Sequence, residues 1–318
     1  MELPEASVIA DTLFTQFPGA LQVSSKYILL ETPFDRGEGF LKIYNRKTGE
    51  EIDWIGSIGQ GPGEWITPSL GNVINDDLVV FDLNQRKYIL ASGDHQYRDI
   101  SNPDLMKKID VEANRLNITR QQQIIVADFL DDTHPFKLIS NGNSIPFGKY
   151  PVDEKIINAL DRMQGQILVH PEKRSMVYAT IDVPYLSLYN LKDSISLLWE
   201  NQFGTADYSI ADGILTWDKN QLSGVKDISF TKDYIVCLVV DPKNTENKHK
   251  VEMRGREMAI PIHSVYLFDY QGHLSYILDL PVLAIRLASD IQSNTIYLVA
   301  IEPDYSIIKY DLSEVGIK

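Results

Sequence analysis

The sequence predicts an all-β chain folded as a six-bladed β-propeller, four antiparallel strands to a blade, in a single domain over residues 1–318. Three observations carry that expectation. Short runs rich in Ile, Val, Tyr and Phe follow one another, among them KYILLE, DLVVFD, DYIVCLVV and TIYLVAIE, and Asp, Asn, Gly or Lys punctuates them, as short antiparallel strands require. Helical spacing of apolar residues is scarce. A module also recurs: FLKIYNRKTGEEIDWIG, DLVVFDLNQRKYILAS, LSLYNLKDSISLLWE and SVYLFDYQGHLSYILDL each run from an apolar strand through an aromatic and Asn or Asp into a polar turn and a second apolar strand. That is a β-hairpin, and a hairpin sheet cannot cover both of its apolar faces alone, so copies stack around an axis.

Taking four strands per blade, the first blade runs from about Gly19 to Gly56, the second from Pro68 to Ile100 and the third from Ile118 to Tyr150. The fourth spans Gly165 to Phe203, the fifth Gly224 to Leu280 and the sixth Pro281 to Leu312. Between the third and fourth, DEKIINALDRM (residues 153–163) places Ile156, Ile157, Leu160 and Met163 on one face and predicts a short amphipathic helix. The sixth blade shows only the strands near LAIRLAS, TIYLVAIE and SIIKYDL. A missing strand leaves an open edge, and ASVIADTLF, Ala6 to Phe14, alternates in the way that would fill it and close the ring.

The stretch GSIGQGPGEW, Gly56 to Trp65, has the glycines of a phosphate cradle but lacks a following helix and a Lys-Ser/Thr pair. Pro68 and Gly71 interrupt its sequel and a strand follows. It reads instead as the corner joining the outer strand of one blade to the inner strand of the next, with glycines free to take positive φ and Pro62 stiffening the bend.

That run, followed by proline, DDLVVFD and NQRKY, resembles the NHL-type signature of a Gly-rich turn, Glu-aromatic, an apolar strand ending in Asp, and Asn-x-Arg. With IPFGKYP, QGQILVHPEKRSMVYAT, SVYLFDYQGHL and NTIYLVAIEPDYSIIKYDL, the chain is similar over most of its length to a TolB-like six-bladed propeller family of Gram-negative envelopes. The resemblance implies an exported protein, periplasmic or held at the outer membrane by a lipid anchor on its precursor.

With 30 basic against 44 acidic residues, a formal charge of −14 disfavours nucleic acid and anionic lipid as partners. No apolar run approaches the roughly 20 residues of a membrane span. Cys237, inside DYIVCLVV, reads as a buried inert thiol. The six histidines lack tight ligand spacing, and no Gly-x-Ser-x-Gly elbow occurs. The pairs Asp76/Asp77 and Asp131/Asp132 lack the spaced oxygens of a calcium loop and read as turn residues. No catalytic residue, metal ligand or cofactor is therefore assigned.

Two features remain as candidate binding sites. The heads of the inner strands should ring the channel, presenting Trp65, Asn72, Lys226 and Arg286, with His170 at a strand end. The polar insertion from Asp241 to Pro261 in the fifth blade carries Lys248, His249, Lys250, Arg254 and Arg256, and long loops on a stiff scaffold tend to carry recognition. The expected function is non-catalytic: a monomeric propeller presenting a loop face or axial funnel to a protein, peptide or glycan. The alternative is a metal-dependent lactonase or esterase with inward carboxylates holding a cation in the channel.

Overall fold

Hairpins closed by Asn, Asp and Gly build the molecule. The computed structural model describes residues 3, 6–11, 13, 15–33, 35, 39–131, 133–204, 208–217, 223–240, 251–253, 256–258, 262–301 and 304–317. The turns Asn75-Asp76, Asn141-Gly142 and Asp212-Gly213 all take positive φ, which matches the twist of paired strands and costs these residues least.

Blade one comprises Leu21–Val23, Tyr27–Glu31, Leu41–Asn45 and Glu51–Ile55. Blade two comprises Pro68–Ile74, Asp77–Asp82, Lys87–Ala91 and the two-residue strand Lys107–Lys108. Arg115–Ile118, Ile124–Ala127, Phe136–Ser140 and Asn143–Phe147 form blade three; Gly165–Val169, Ser175–Thr180, Tyr185–Asn190 and Ser196–Gln202 form blade four. Blade five begins with Val225–Phe230, Tyr234–Val239 and Ile262–Asp269, and its outer strand is the first part of the long strand Leu274–Asp290. The second part of that strand pairs with Thr295–Ile301 and becomes the inner strand of blade six. Exposed Pro281, which has no N–H to give, lies where the strand leaves one ladder for the other.

Ring closure follows the sequence expectation. Ser7–Ala10 pairs antiparallel with the strand Tyr305–Asp311, Ser7 opposite Lys309 and Val8 opposite Ile308, and Leu13 N donates to Tyr305 O at 2.7 Å. The first and last strands of the chain thus share one blade, which covers the edge that blade six would otherwise expose.

The core is divided as radial stacking demands. Among the described residues it falls into six apolar clusters, one at each blade interface. Middle strands such as Ser175–Thr180, Tyr234–Val239 and Thr295–Ile301 are buried along their whole length because blades cover both faces. Cys237 belongs to the cluster between blades four and five, and burial pushes its thiol pKa well above the ordinary value.

Three local expectations shift. Blade two continues beyond Ile100 through 3-10 turns at Arg98–Ser101 and Pro103–Leu105 before its outer strand, and blade three starts at Arg115, ahead of Ile118. The helix is only Ala159–Met163. Ile156 and Met163 are buried as the spacing predicts, whereas Ile157 is 71% exposed, because its backbone is non-helical and donates to Gly213 O. Gly213 sits in a hairpin, Tyr208–Ala211 with Ile214–Trp217, that packs beside the helix and has no counterpart among the expected strands.

Candidate functional site

Residues 56–65 form the predicted corner. Gly56 and Gly63 take φ of 85° and 79°, Trp65 N donates to Ser57 O, and Gly59 N donates to Trp65 O. Glu64 folds back to accept from Gly61 N at 2.7 Å, and a Cβ at Gly59 would lie 2.2 Å from its carboxylate. Asp82 accepts from Ile66 N and Thr67 N and also from Gln85 N, so one carboxylate binds the corner to the next hairpin. The N–H groups of Gly59, Gly61, Glu64 and Trp65, which a phosphate would seek, are thus bonded within the corner itself.

Inner strands converge at the axis, and where they splay apart their backbone groups need other partners. Side chains supply them from blade to blade. Asn72 brackets Ile118, its Nδ2 donating to the carbonyl and its Oδ1 accepting from the N–H, both at 2.9 Å. Asn117 does the same one blade on, to Ile167 O and Val169 N. Gln166 donates to Lys226 O, Asp227 accepts from Leu287 N at 2.9 Å, and Arg286 Nε donates to Gly19 O at 2.7 Å. Gly71 belongs to this ring for a steric reason, since a Cβ there would sit 2.5 Å from Leu116 O.

The last three of these latches also edge a cavity of about 680 Å³ at the heads of the inner strands. Its walls are mainly aliphatic, including Leu21, Leu70, Leu116, Ile167, Ile228 and Ile285, and its charges are Arg115, Arg286, Lys226, Glu31 and Asp227. Arg115 Nη1 donates to Asn114 O at 2.8 Å and its Nε reaches Gln166 Oε1 at 3.4 Å. Arg286 holds Gly19 O and Ile285 O, with its guanidinium 5.3 Å from the Phe17 ring centre. Among the described residues, neither guanidinium has a carboxylate oxygen within the 4 Å of an ion pair.

The carboxylates are held by backbone instead. Glu31 accepts from Ala20 N at 2.9 Å, and Asp227 accepts from Ile228 N and Leu287 N. Desolvation raises the Glu31 pKa against the pull of Ala20 N–H and both arginines. It also pushes Asp227 up to about 6, against the same arginines and its two N–H donors. Desolvation lowers Arg115 and Lys226, opposed by Glu31 and Asp227 for the first and by Asp182 for the second. Three cations and two anions thus share a low-dielectric funnel on a protein of net charge −14.

A second cavity, about 570 Å³, opens at the opposite ends of the inner strands. Its charged groups are largely engaged: Arg46 pairs with Asp290, and Asp76 holds Ser25 by N–H and hydroxyl. The head funnel is therefore the candidate site.

The family model described as TolB-like 6-blade propeller-like matches residues 2–289. The chain belongs to that family. Two solved structures extend the likeness of this TolB-like propeller at the level of fold. A candidate exported protein of Bacteroides fragilis NCTC 9343 shares 14% identity at a TM-score of 0.61, covering 96% of this chain and 94% of that one. A DUF4221 family member from Bacteroides vulgatus shares 8% at a TM-score of 0.59, with the same coverage of 96% and 94%. No curated protein matches the sequence.

Of the residues the sequence singled out, the TolB-like propeller brings Lys226 and Arg286 to the funnel. Asn72 is 2% exposed and fully engaged with Ile118. Trp65 is wholly buried between blades one and two, its Nε1 on Ile100 O and its ring edge-on to Phe40. His170 is 3% exposed, packed on Phe230, with Nδ1 accepting from Glu172 N and Lys173 N and Nε2 on the Tyr270 hydroxyl. Lys248, His249, Lys250 and Arg254 lie outside the described residues. Arg256 heads the second strand of a hairpin, Val251–Met253 with Arg256–Met258, described for its backbone alone.

Arg115, Asp227, Glu31 and Gln166 are the funnel residues that sequence reasoning missed. Three had a usable signal. Aligned at their inner-strand heads, RLNI, GQILV, VKDISF and AIRLAS each place a polar residue just before the apolar core of the strand, and that position faces the axis. Glu31 arrives from the end of a second strand, and Gly19 makes room for it: a Cβ there would lie 2.8 Å from its side chain.

Proposed function

We propose that this TolB-like propeller is an exported, non-catalytic binding protein, periplasmic or lipid-anchored at the outer membrane of a Gram-negative cell, whose head funnel receives part of a protein, peptide or glycan. The observation that supports this reading is a preformed apolar cavity with a few fixed charges, the usual form of a ligand site. Export is supported by the description of the Bacteroides fragilis neighbour. A cation-dependent hydrolase fits less well: each funnel carboxylate faces guanidinium charge and already accepts backbone N–H bonds, and among the described residues no three His, Cys, Asp or Glu side chains gather as a metal site. The test is capture from a Gram-negative envelope extract with the wild-type propeller and an Arg115→Ala/Arg286→Ala variant. A partner retained by the first and lost by the second is expected; identical capture by both would overturn a role for the funnel.

A further inference from the structure

Resting on that reading, we infer that the funnel is built for a carboxylate with an aliphatic body, bracketed by the outward nitrogens of Arg115 and Arg286. The two arginines come from blades three and six, which stand opposite each other in a six-membered ring. A guanidinium offers five N–H donors in a fixed fork. In Arg115 the Nε and Nη1 groups are engaged by Gln166 and Asn114, and in Arg286 by Gly19 and Ile285. Both arginines line the same cavity, and among the described residues no hydrogen bond or ion pair engages the Nη2 of either. Both donors are thus held in place before a ligand arrives, which removes part of the ordering cost of binding.

Charge points the same way. Glu31 and Asp227 sit within electrostatic reach of both guanidiniums, yet each is tied to backbone N–H groups and closes no ion pair with them among the described residues. With Lys226, the funnel carries three cationic groups against two carboxylates. One monoanion balances it, whereas a dianion overshoots. Uncompensated charge in a low-dielectric site is costly, so the monoanion is favoured.

The walls set the rest of the ligand. Leu21, Leu70, Leu116, Ile167, Ile228 and Ile285 offer aliphatic surface, while the Phe17 face is taken by Arg286. Aliphatic walls favour apolar side chains over the hydroxyl-rich faces of a sugar. The carboxylate comes either from a peptide carboxy terminus with Leu-like side chains or from a free aliphatic acid.

Calorimetry with the whole protein separates these. The probes are N-acetyl-Leu-Ala-Leu with a free carboxylate, the same peptide as its amide, hexanoate, and inorganic phosphate. The free peptide acid is expected to bind about ten- to a hundredfold tighter than its amide, as befits charge-assisted hydrogen bonds. Arg115→Gln/Arg286→Gln should abolish that difference. Hexanoate matching the peptide acid would assign the carboxylate to a free acid; hexanoate binding much more weakly would assign it to a peptide terminus. Equal binding of acid and amide by the wild-type protein, no binding of either carboxylate, or a preference for phosphate would each overturn the inference without any folded variant being needed. Loss of the inference alone, with arginine-dependent capture from the extract intact, leaves the broader binding role standing.

Discussion

His170 gives the sharpest test of how the blades are joined. Its imidazole is neutral in the folded protein, with Nδ1 accepting two backbone N–H bonds and the ring packed 4.8 Å from Phe230. Burial, aided by the Lys173 charge, pushes its pKa down to about 3, while in an unfolded chain it returns to about 6.5. The unfolded state therefore binds the extra proton first as pH falls. The histidine's contribution is complete above about pH 6.5 and drains away as acid approaches the folded value. At pH 5 the gap to 6.5 is about 1.5 units, which at about 1.36 kcal/mol per unit removes about 2 kcal/mol. Asp227 has the opposite sign: with its folded pKa raised to about 6, its contribution is present in acid and lost as pH rises through that value. Comparing wild type with His170→Asn cancels the Asp227 contribution, since both proteins carry it. In urea unfolding, the variant should be the less stable at pH 8, and the difference should shrink by about 2 kcal/mol at pH 5. A difference that stays constant between the two pH values would refute the assignment of a neutral, backbone-holding His170.

Other expectations follow from the same contacts. Asn72→Ala strands the N–H and carbonyl of Ile118 in a buried setting, and at about 1–3 kcal/mol per unsatisfied group it should lower the urea midpoint with little change of slope. Removing residues 1–11 takes away the strand paired to Tyr305–Asp311, so light scattering should detect association of the truncated protein under conditions where the full chain is monodisperse. Gly56→Ala places a Cβ 2.3 Å from the Phe40 ring at a φ of 85°; thermal melting should show a loss of at least about 1 kcal/mol from the backbone conformation and the clash together. Cys237, wholly buried with a raised pKa, should stay unreactive toward Ellman's reagent until denaturant is added.

Much of the architecture was legible because it is local. Alternating apolar runs, Asn-Asp-Gly turns and the Gly-rich corner each act within a dozen residues, and a hairpin unable to cover its own faces leaves radial stacking as the outcome. Where a local signal was weak, the reading slipped. The outer strand of blade two is two lysines beyond several 3-10 turns, with no apolar alternation to mark it. The extra hairpin beside the helix went unread, although its Asp212-Gly213 turn is a usable hairpin signal.

The candidate site was legible only in part. Lys226 and Arg286 stand out as cations at strand heads, but nothing in their neighbourhood along the chain says that Arg115 and Glu31 meet them at the axis. Nor does sequence distinguish an Asn that faces a ligand from one that completes a neighbour's backbone, as Asn72 does. Sequence by itself determined most of the strands and turns, the ring and its closure, since hydrophobic burial and turn geometry are largely fixed by nearby residues. Tertiary structure alone decided which side chains at the axis are consumed by latching blades together and which still point into the funnel, because that depends on groups brought together from all six blades.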